Sequence, residues 1–255
     1  MRRAVLAVLV VGLSQAGVAH GAESLRVLFI GNSYTYFNNA PEMFAALAQA
    51  ALPGRNIETR MVVLPGQSLV SLWERSDARQ VLRSSRWDYV VLQDQSQLGD
   101  ALRDGRFVVN RPTLLHWGVR MFDSEIRRAH ARTVLLLTWP RLAEPHQQAD
   151  LDFAYDSVAR ELGAALAPVG PVWQRARQEN PGLELYAPDG SHPSPIGSYV
   201  LACTLLMTLF PEATGDLPSS VRGLRCAVNR RGSRGTKAIH RVMMYQSHTR
   251  CQAGR

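Results

Sequence analysis

The sequence predicts an α/β fold, a three-layer α/β/α sandwich around a mostly parallel sheet of about five strands. Two observations carry this prediction: short apolar runs alternate with longer segments of helical periodicity, and glycine or proline follows several of the apolar runs. Such alternation favours parallel strands, because each helix returns the chain to the same edge of the sheet. The 255 residues, 46% of them hydrophobic, suffice for one domain with a full core.

Short apolar runs indicate buried strands, whereas apolar residues that recur every three or four positions indicate helices. The first strand is expected to end at Gly31 and the second at Pro65-Gly66. Pro41 and Pro193 each suit the first turn of a helix. The strands are expected at residues 25–30, 59–64, 89–92, 133–138 and 167–169. The helices are expected at residues 41–51, 67–83, 111–130, 147–166 and 193–210.

The N-terminus has the pattern of a secretory signal peptide. Two arginines precede an apolar stretch, residues 4–13, which is too short to span a membrane. Small residues follow, with candidate cleavage sites at Ala19 and Ala22. We therefore predict a signal peptide over residues 1–22, with an uncleaved anchor as the alternative. The prediction implies a secreted or periplasmic protein without a stable membrane anchor after cleavage.

The net charge of +8 arises at the C-terminal end. Residues 217–255 hold nine basic side chains and no acidic one, which leaves 20 of the 29 basic residues against all 21 acidic ones. A single domain over residues 23–216, close to neutral, is therefore expected to precede a basic and poorly ordered tail over residues 217–255. No RNP or zinc-finger pattern occurs, so no nucleic-acid partner is expected.

Candidate catalytic residues follow the predicted strands, because ligands of open α/β sheets bind beyond the carboxyl ends of the strands. Residues 31–35 (GNSYT) place Ser33 on a turn whose backbone amides can stabilise negative charge. Gly66 follows the second strand, and its amide can approach a reacting carbonyl oxygen. The third strand is followed by Gln93-Asp94-Gln95, which offers a side-chain amide donor. Taken singly, each of these segments also fits an ordinary turn.

Asp189 and His192 precede the last predicted helix. A neutral imidazole can remove the proton of a serine, and a carboxylate three residues earlier can hold the imidazole in the useful tautomer. Among the seven histidines, His192 alone has an acid at this spacing on a predicted strand-to-helix loop. The alternative is a helix-capping segment with an incidental histidine.

In combination and in this order, these segments resemble the SGNH hydrolase superfamily, also called GDSL-like, over residues 25–210. Residues 31–35 with the following Asn38-Asn39, and residues 189–194 (DGSHPS), are similar to a bacterial secreted or periplasmic group of poorly defined function. The resemblance implies Ser33 as nucleophile, His192 as base and Asp189 as the acid that orients it.

The resemblance also implies an oxyanion hole formed by the amides of Ser33 and Gly66 and by a side chain after the third strand. The superfamily has Gly-x-Asn there, whereas this chain has Gln93-Asp94-Gln95. Gln95 falls in the position of the asparagine, and Gln93 is the alternative donor.

The implied activity is that of a secreted serine ester hydrolase, with a small-molecule or glycan acyl ester as substrate and an acyl-enzyme intermediate. Neither an organic cofactor nor a metal ion is expected, and the three cysteines lack metal-ligand spacing. The alternatives are an O-acyltransferase that uses the same triad and a non-catalytic carbohydrate-binding protein of the same fold. An α/β-hydrolase is disfavoured because no Gly-x-Ser-x-Gly motif occurs.

Overall fold

A computed structural model describes residues 24–98, 101–103, 106–108, 112–211 and 213. The predicted signal peptide and the predicted basic tail lie outside the described residues, and so do Cys226 and Cys251. Cys203 is buried in the last helix.

Five parallel strands form the central sheet, and a separate pair of short strands forms an antiparallel hairpin. The strands are β1 (Ser24–Gly31), β2 (Asn56–Val63), β3 (Tyr89–Leu92), β4 (Ala101–Arg103), β5 (Arg106–Val108), β6 (Arg132–Leu137) and β7 (Ala165–Pro168). The order in the sheet is β2-β1-β3-β6-β7, and β4 pairs with β5. The strand order reverses between β1 and β3, which opens a crevice beyond their carboxyl ends. This architecture confirms the predicted α/β fold.

Helices cover both faces of the sheet. They are α1 (Ser33–Tyr36), α2 (Ala40–Ala51), α3 (Leu69–Arg75), α4 (Ala78–Ser84), α5 (Pro112–Arg128), α6 (Gln148–Leu162), α7 (Val169–Glu179) and α8 (Pro195–Leu209). None of the helices within the described ranges is long and apolar enough to cross a membrane.

Alternate residues of the strands supply two separate cores. On β1, Val27 and Phe29 pack with α2, α7 and α8, whereas Leu28 and Ile30 pack with α3, α4, α5 and α6. All four side chains are essentially inaccessible to solvent. Strands buried on both faces explain why the sequence shows continuous apolar runs rather than alternation.

The predicted helix over residues 67–83 is wrong as a single element, because Ser76 divides it into α3 and α4. Ser76 has extended backbone angles, and its hydroxyl donates to the Leu72 carbonyl at 2.5 Å. The same oxygen accepts from the Ala78 N–H at 3.2 Å, so one side chain binds the last turn of α3 and the first N–H of α4. Serine competes in this way with the backbone bonds that would continue a helix.

The predicted helix over residues 147–166 is also too long. Gly163 adopts a left-handed conformation (φ +61°) and ends α6 at Leu162, so residues 165–168 are free to form β7. Helix α7 and the β4–β5 hairpin were not predicted from the sequence. The last helix begins at Pro195 rather than at residue 193, because the Ser194 hydroxyl caps it by accepting from the Gly197 N–H.

Candidate active site

The sharp turn after β1 places Ser33 at the crevice between β1 and β3. A Cβ atom on Gly31 would lie 2.4 Å from Thr35 Oγ1 and 2.7 Å from Gln93 Oε1, so the close packing of this turn requires glycine. Asn32 then caps α1, since its side-chain oxygen accepts from the Tyr34 N–H at 3.1 Å. Ser33 is therefore the first residue of a short helix, with its side chain nearly buried.

Asn32 also joins the turn after β1 to the two neighbouring loops. Its side-chain amide donates to the Gln67 carbonyl in the loop after β2, at 3.0 Å, and to the Asp94 carbonyl after β3, at 3.2 Å. The side chain is 2% exposed, so these bonds are shielded from competing water. The three strand ends are thus held together around Ser33.

The structure brings together Ser33, His192 and Asp189 from opposite ends of the domain. His192 Nε2 lies 2.9 Å from Ser33 Oγ, and His192 Nδ1 lies 2.5 Å from Asp189 Oδ2. Both distances are those of hydrogen bonds. The arrangement allows a proton to pass from the serine hydroxyl to an imidazole that a carboxylate orients.

Asp189 also holds the loop that carries His192. Its Oδ1 atom accepts from the backbone N–H groups of Ser191 and His192, each at 2.9 Å. Burial raises the pKa of the Asp189 carboxyl, but bonds from the His192 side chain and from these two N–H groups outweigh it and lower the pKa overall. Asp189 is therefore ionised near neutral pH, as the orientation of an imidazole requires.

Two aromatic rings enclose the imidazole of His192. Phe37 stacks on its face with the ring centroids 4.1 Å apart and the planes inclined by 14°. Tyr34 meets the imidazole edge-on at 5.6 Å. These contacts restrict rotation of the ring, and the face of Phe37 can stabilise positive charge on the imidazole. Phe37 was not identified from the sequence, although it lies four residues after Ser33.

Ser191, between Asp189 and His192, is held by two further side chains. The Tyr34 hydroxyl lies 2.7 Å from Ser191 Oγ, and Trp139 Nε1 donates to the Ser191 carbonyl at 3.0 Å. The rings of Tyr34 and Trp139 stack with centroids 4.7 Å apart. Trp139 directly follows β6 and therefore lies at the carboxyl edge of the sheet. That position in the sequence could have identified it as a site residue.

Asn38, which follows the Ser33 motif by three residues, anchors the end of the same loop. Its side-chain amide donates to the Pro193 carbonyl and to Ser198 Oγ, both at 2.9 Å. Asn38 has a φ of +53°, a conformation that asparagine tolerates better than most residues. The segment after Ser33 and the segment after His192 are therefore fastened to each other directly.

Gly66 lies in the turn that follows β2. Its φ of +66° falls in the left-handed region, where glycine is favoured. Leu64 N–H donates to the Gly31 carbonyl at 3.1 Å, and the Gln67 carbonyl accepts from Asn32, so both sides of Gly66 are tied to the turn that bears Ser33. The loop that contains Gly66 is thus tied to the turn that bears the candidate nucleophile, and the role of Gly66 in an oxyanion hole stays a prediction.

The two candidate glutamines differ in their surroundings. Gln93 is fully buried, and its Oε1 accepts from the Asn32 N–H at 3.0 Å and from Thr35 Oγ1 at 2.8 Å. Its amide nitrogen donates to the Asp94 carbonyl. Gln93 therefore stabilises the turn that bears Ser33 through buried hydrogen bonds, a role that sequence reasoning missed. Gln95 is half-buried, and its Oε1 accepts from the Gln97 N–H at 2.8 Å. The sequence-based assignment of Gln95 as oxyanion donor stays a prediction.

We expect Gln95→Ala to lower kcat by about 10²-fold with little change in thermal stability, because one donor to the transition-state oxyanion is lost. Gln93→Ala should instead lower the melting temperature, since it leaves the buried Asn32 N–H without its acceptor. Steady-state kinetics on p-nitrophenyl acetate and thermal unfolding by circular dichroism check both. A larger loss of kcat in folded Gln93→Ala than in Gln95→Ala would reverse the assignment.

Among solved structures, the chain is similar to a candidate SGNH hydrolase from Slackia heliotrinireducens. The two are 28% identical with a TM-score of 0.60, over 73% of this chain and 100% of the other. This chain belongs to the SGNH (GDSL-like) hydrolase superfamily. Membership supports a hydrolase that acts on esters in general.

Two further solved structures are similar to this chain in fold. A DUF4886 family protein from Bacteroides uniformis is 18% identical, with a TM-score of 0.63 over 88% of this chain and 96% of the other. A variant of an acetyl xylan esterase from Geobacillus stearothermophilus is 16% identical, with a TM-score of 0.54 over 75% and 95%. No protein-family model and no curated protein sequence matches the chain.

Proposed function

We propose that the protein is a secreted or periplasmic serine ester hydrolase in which Ser33, His192 and Asp189 form the catalytic triad. The observation that carries the proposal is the continuous chain of hydrogen-bond distances from Ser33 Oγ through both imidazole nitrogens to the Asp189 carboxylate. A nucleophile, a base and an orienting acid in contact are what acyl transfer through a serine requires. The signal-like residues 1–22 support export.

In the first step, Ser33 Oγ attacks the ester carbonyl carbon while His192 Nε2 takes the hydroxyl proton. The carbonyl electron pair moves to oxygen, which becomes the oxyanion of a tetrahedral intermediate. When that intermediate collapses, the C–O bond to the alcohol breaks, and Nε2–H protonates the departing alkoxide. An ester between Ser33 and the acyl group remains.

In the second step, water attacks the acyl-enzyme and gives its proton to His192. Collapse of the new intermediate breaks the bond to Ser33 Oγ, which recovers a proton from the imidazolium, and the carboxylic acid leaves. In both steps the imidazole becomes positively charged between the Asp189 carboxylate and the face of Phe37. Both neighbours stabilise that charge, which forms only as the reaction proceeds.

The proposed oxyanion hole consists of the amides of Ser33 and Gly66 and the side chain of Gln95. Its support is the joining of their three loops by Asn32, which holds the strand ends in fixed positions before any substrate binds. Preorganised donors stabilise a developing charge without reorganisation during the reaction.

The proposed substrate is an acyl ester of a small alcohol or of a glycan. One structural neighbour is named as an acetyl xylan esterase, which makes an acetylated carbohydrate a reasonable first natural substrate to assay. A short acyl group is the simplest choice for a first test, because it places few demands on the pocket around Ser33.

We expect the protein to hydrolyse p-nitrophenyl acetate with an initial burst of nitrophenol and to carry an acetyl group on Ser33 after an acid quench. Peptide mass spectrometry locates the added mass, and the burst amplitude counts the sites. After the burst, acetate and nitrophenol should appear at equal rates, also when a sugar acceptor is present; preferential transfer to the sugar would indicate an acyltransferase. An acetyl group on another residue, or no hydrolysis at all, would contradict the proposal.

A further inference from the structure

The carboxyl group of Asp94 lies beneath the crevice and joins two of its loops. Asp94 follows β3 and is 1% exposed. A single oxygen, Oδ1, accepts from the Leu69 N–H at 2.8 Å and from the Gln95 N–H at 2.7 Å. Distances in this range are typical of hydrogen bonds to an ionised carboxylate. One atom therefore fixes the start of α3 relative to the backbone of Gln95.

Asp94 is an unfavourable residue for the stability of this region. Burial raises the pKa of its carboxyl to about 6, and the two backbone donors lower it only in part. The charge of Asp94 in turn adds to burial in raising the pKa of Tyr155, whose hydroxyl accepts from the Asp94 N–H at 3.3 Å. A buried carboxylate whose partners are backbone N–H groups costs stability. The presence of an aspartate here is therefore better explained by function than by stability.

The two loops that Asp94 joins are those that carry the proposed oxyanion donors. Leu69 is the first residue of α3, three residues after Gly66 and directly after the loop that follows β2, and Gln95 bears the side-chain donor itself. The backbone carbonyl of Asp94 accepts from Asn32, the neighbour of Ser33. Asp94 therefore has a direct hydrogen bond to each of the three segments that carry the proposed oxyanion hole.

We propose that Asp94 is a positioning residue that sets the separation between the Gly66 loop and Gln95, and so shapes the oxyanion hole. The inference rests on the proposed function. Its physical basis is that small displacements of catalytic donors are costly: a shift of about 1 Å can lower the rate about 10²-fold. The effect should fall on the transition state, because the oxyanion forms only there.

The test compares Asp94→Ala, which removes the acceptor, with Asp94→Asn, which keeps a neutral acceptor of the same shape. On p-nitrophenyl acetate we expect kcat to fall about 10²-fold in Asp94→Ala and about tenfold in Asp94→Asn, with KM within about twofold of wild type. Inhibition by phenylboronic acid, which forms a tetrahedral adduct with a serine, should weaken in the same order. A merely structural role would leave kcat and boronate affinity of the folded fraction unchanged.

Asp123→Asn is the matched control. Asp123 is 4% exposed and binds Thr133 Oγ1 at 2.6 Å, at the amino end of β6 and therefore at the opposite edge of the sheet. Its replacement should lower thermal stability without changing the kcat of folded protein. If Asp94→Ala is insoluble, Asp94→Asn decides the matter.

Wild-type kcat in either soluble Asp94 variant would overturn the positioning role while leaving the triad intact. Wild-type activity of Ser33→Ala would overturn the proposed function instead. The two failures are therefore distinguishable with the same assay.

Discussion

Replacement of Ser33 by alanine is expected to lower kcat for p-nitrophenyl acetate by at least about 10⁴-fold. The hydroxyl is the only group through which the proposed acyl-enzyme can form, and it lies 2.9 Å from the base that would activate it. What remains should be the small acceleration from binding and from the oxyanion donors. The measurement is steady-state hydrolysis, with wild-type sites counted by active-site titration and the concentration of folded variant taken from circular dichroism.

The same variant should stay folded. Ser33→Ala removes one hydrogen bond from a nearly buried position, which changes the free energy of unfolding by about 1 kcal/mol. Thermal unfolding by circular dichroism therefore separates a chemical defect from a structural one. A fully folded variant with wild-type turnover would remove Ser33 as the nucleophile.

Ser157 provides a matched control, because it is also a serine in contact with a histidine. Its hydroxyl lies 3.1 Å from His116 Nε2 but donates to the Ala154 carbonyl, on the helices that cover one face of the sheet. Ser157→Ala should keep wild-type turnover. Loss of activity in Ser157→Ala together with full activity in Ser33→Ala would instead place the active site at Ser157 and His116.

The sequence predicted the sheet because its inner strands are buried on both faces. β1, β3 and β6 carry continuous apolar runs, and a short run of this kind is typical of a strand that helices cover on both sides. Helix α7 was not found, since it starts directly after β7 with no polar loop between them. There Gly170 approaches the backbone so closely that a Cβ would lie 2.1 Å from the Thr138 carbonyl oxygen. A contact of that kind depends on the assembled fold and leaves no local pattern.

The candidate triad was predictable because its chemistry demands particular residue types, and few residues of those types follow strands. Ser33 and His192 are 159 positions apart, yet each precedes or opens a helix at the same edge of the sheet. The supporting residues were not predictable in the same way. Phe37 and Trp139 act through ring contacts, and Gln93 and Asp94 through buried bonds to backbone groups. Those roles become visible only when the loops are placed in space.

Replacement of Asp189 by asparagine is expected to lower kcat by about 10³-fold, less than the loss expected for Ser33→Ala. The asparagine oxygen can still accept from the backbone N–H groups of Ser191 and His192, so the loop should keep its shape. The asparagine nitrogen, however, presents a donor to His192 Nδ1 and favours the tautomer with the proton on Nε2, the atom that faces Ser33. That tautomer cannot accept the serine proton. Because the Asp189 side chain is 48% exposed, screening by water should make the loss of kcat smaller than it would be for a fully buried acid.

Asp189→Ala separates tautomer selection from a purely structural role of Asp189. Alanine removes the side-chain oxygen that accepts from both backbone N–H groups, but it imposes no tautomer on His192, whose Nδ1 can then donate to water. If Asp189 serves only to hold the loop, the alanine variant should be the more defective and the asparagine variant nearly active. If Asp189 selects the tautomer, the asparagine variant should be at least as slow as the alanine variant while remaining the more stable of the two. Rates from steady-state kinetics and melting temperatures from circular dichroism, measured on both proteins, distinguish the two roles, and we expect tautomer selection.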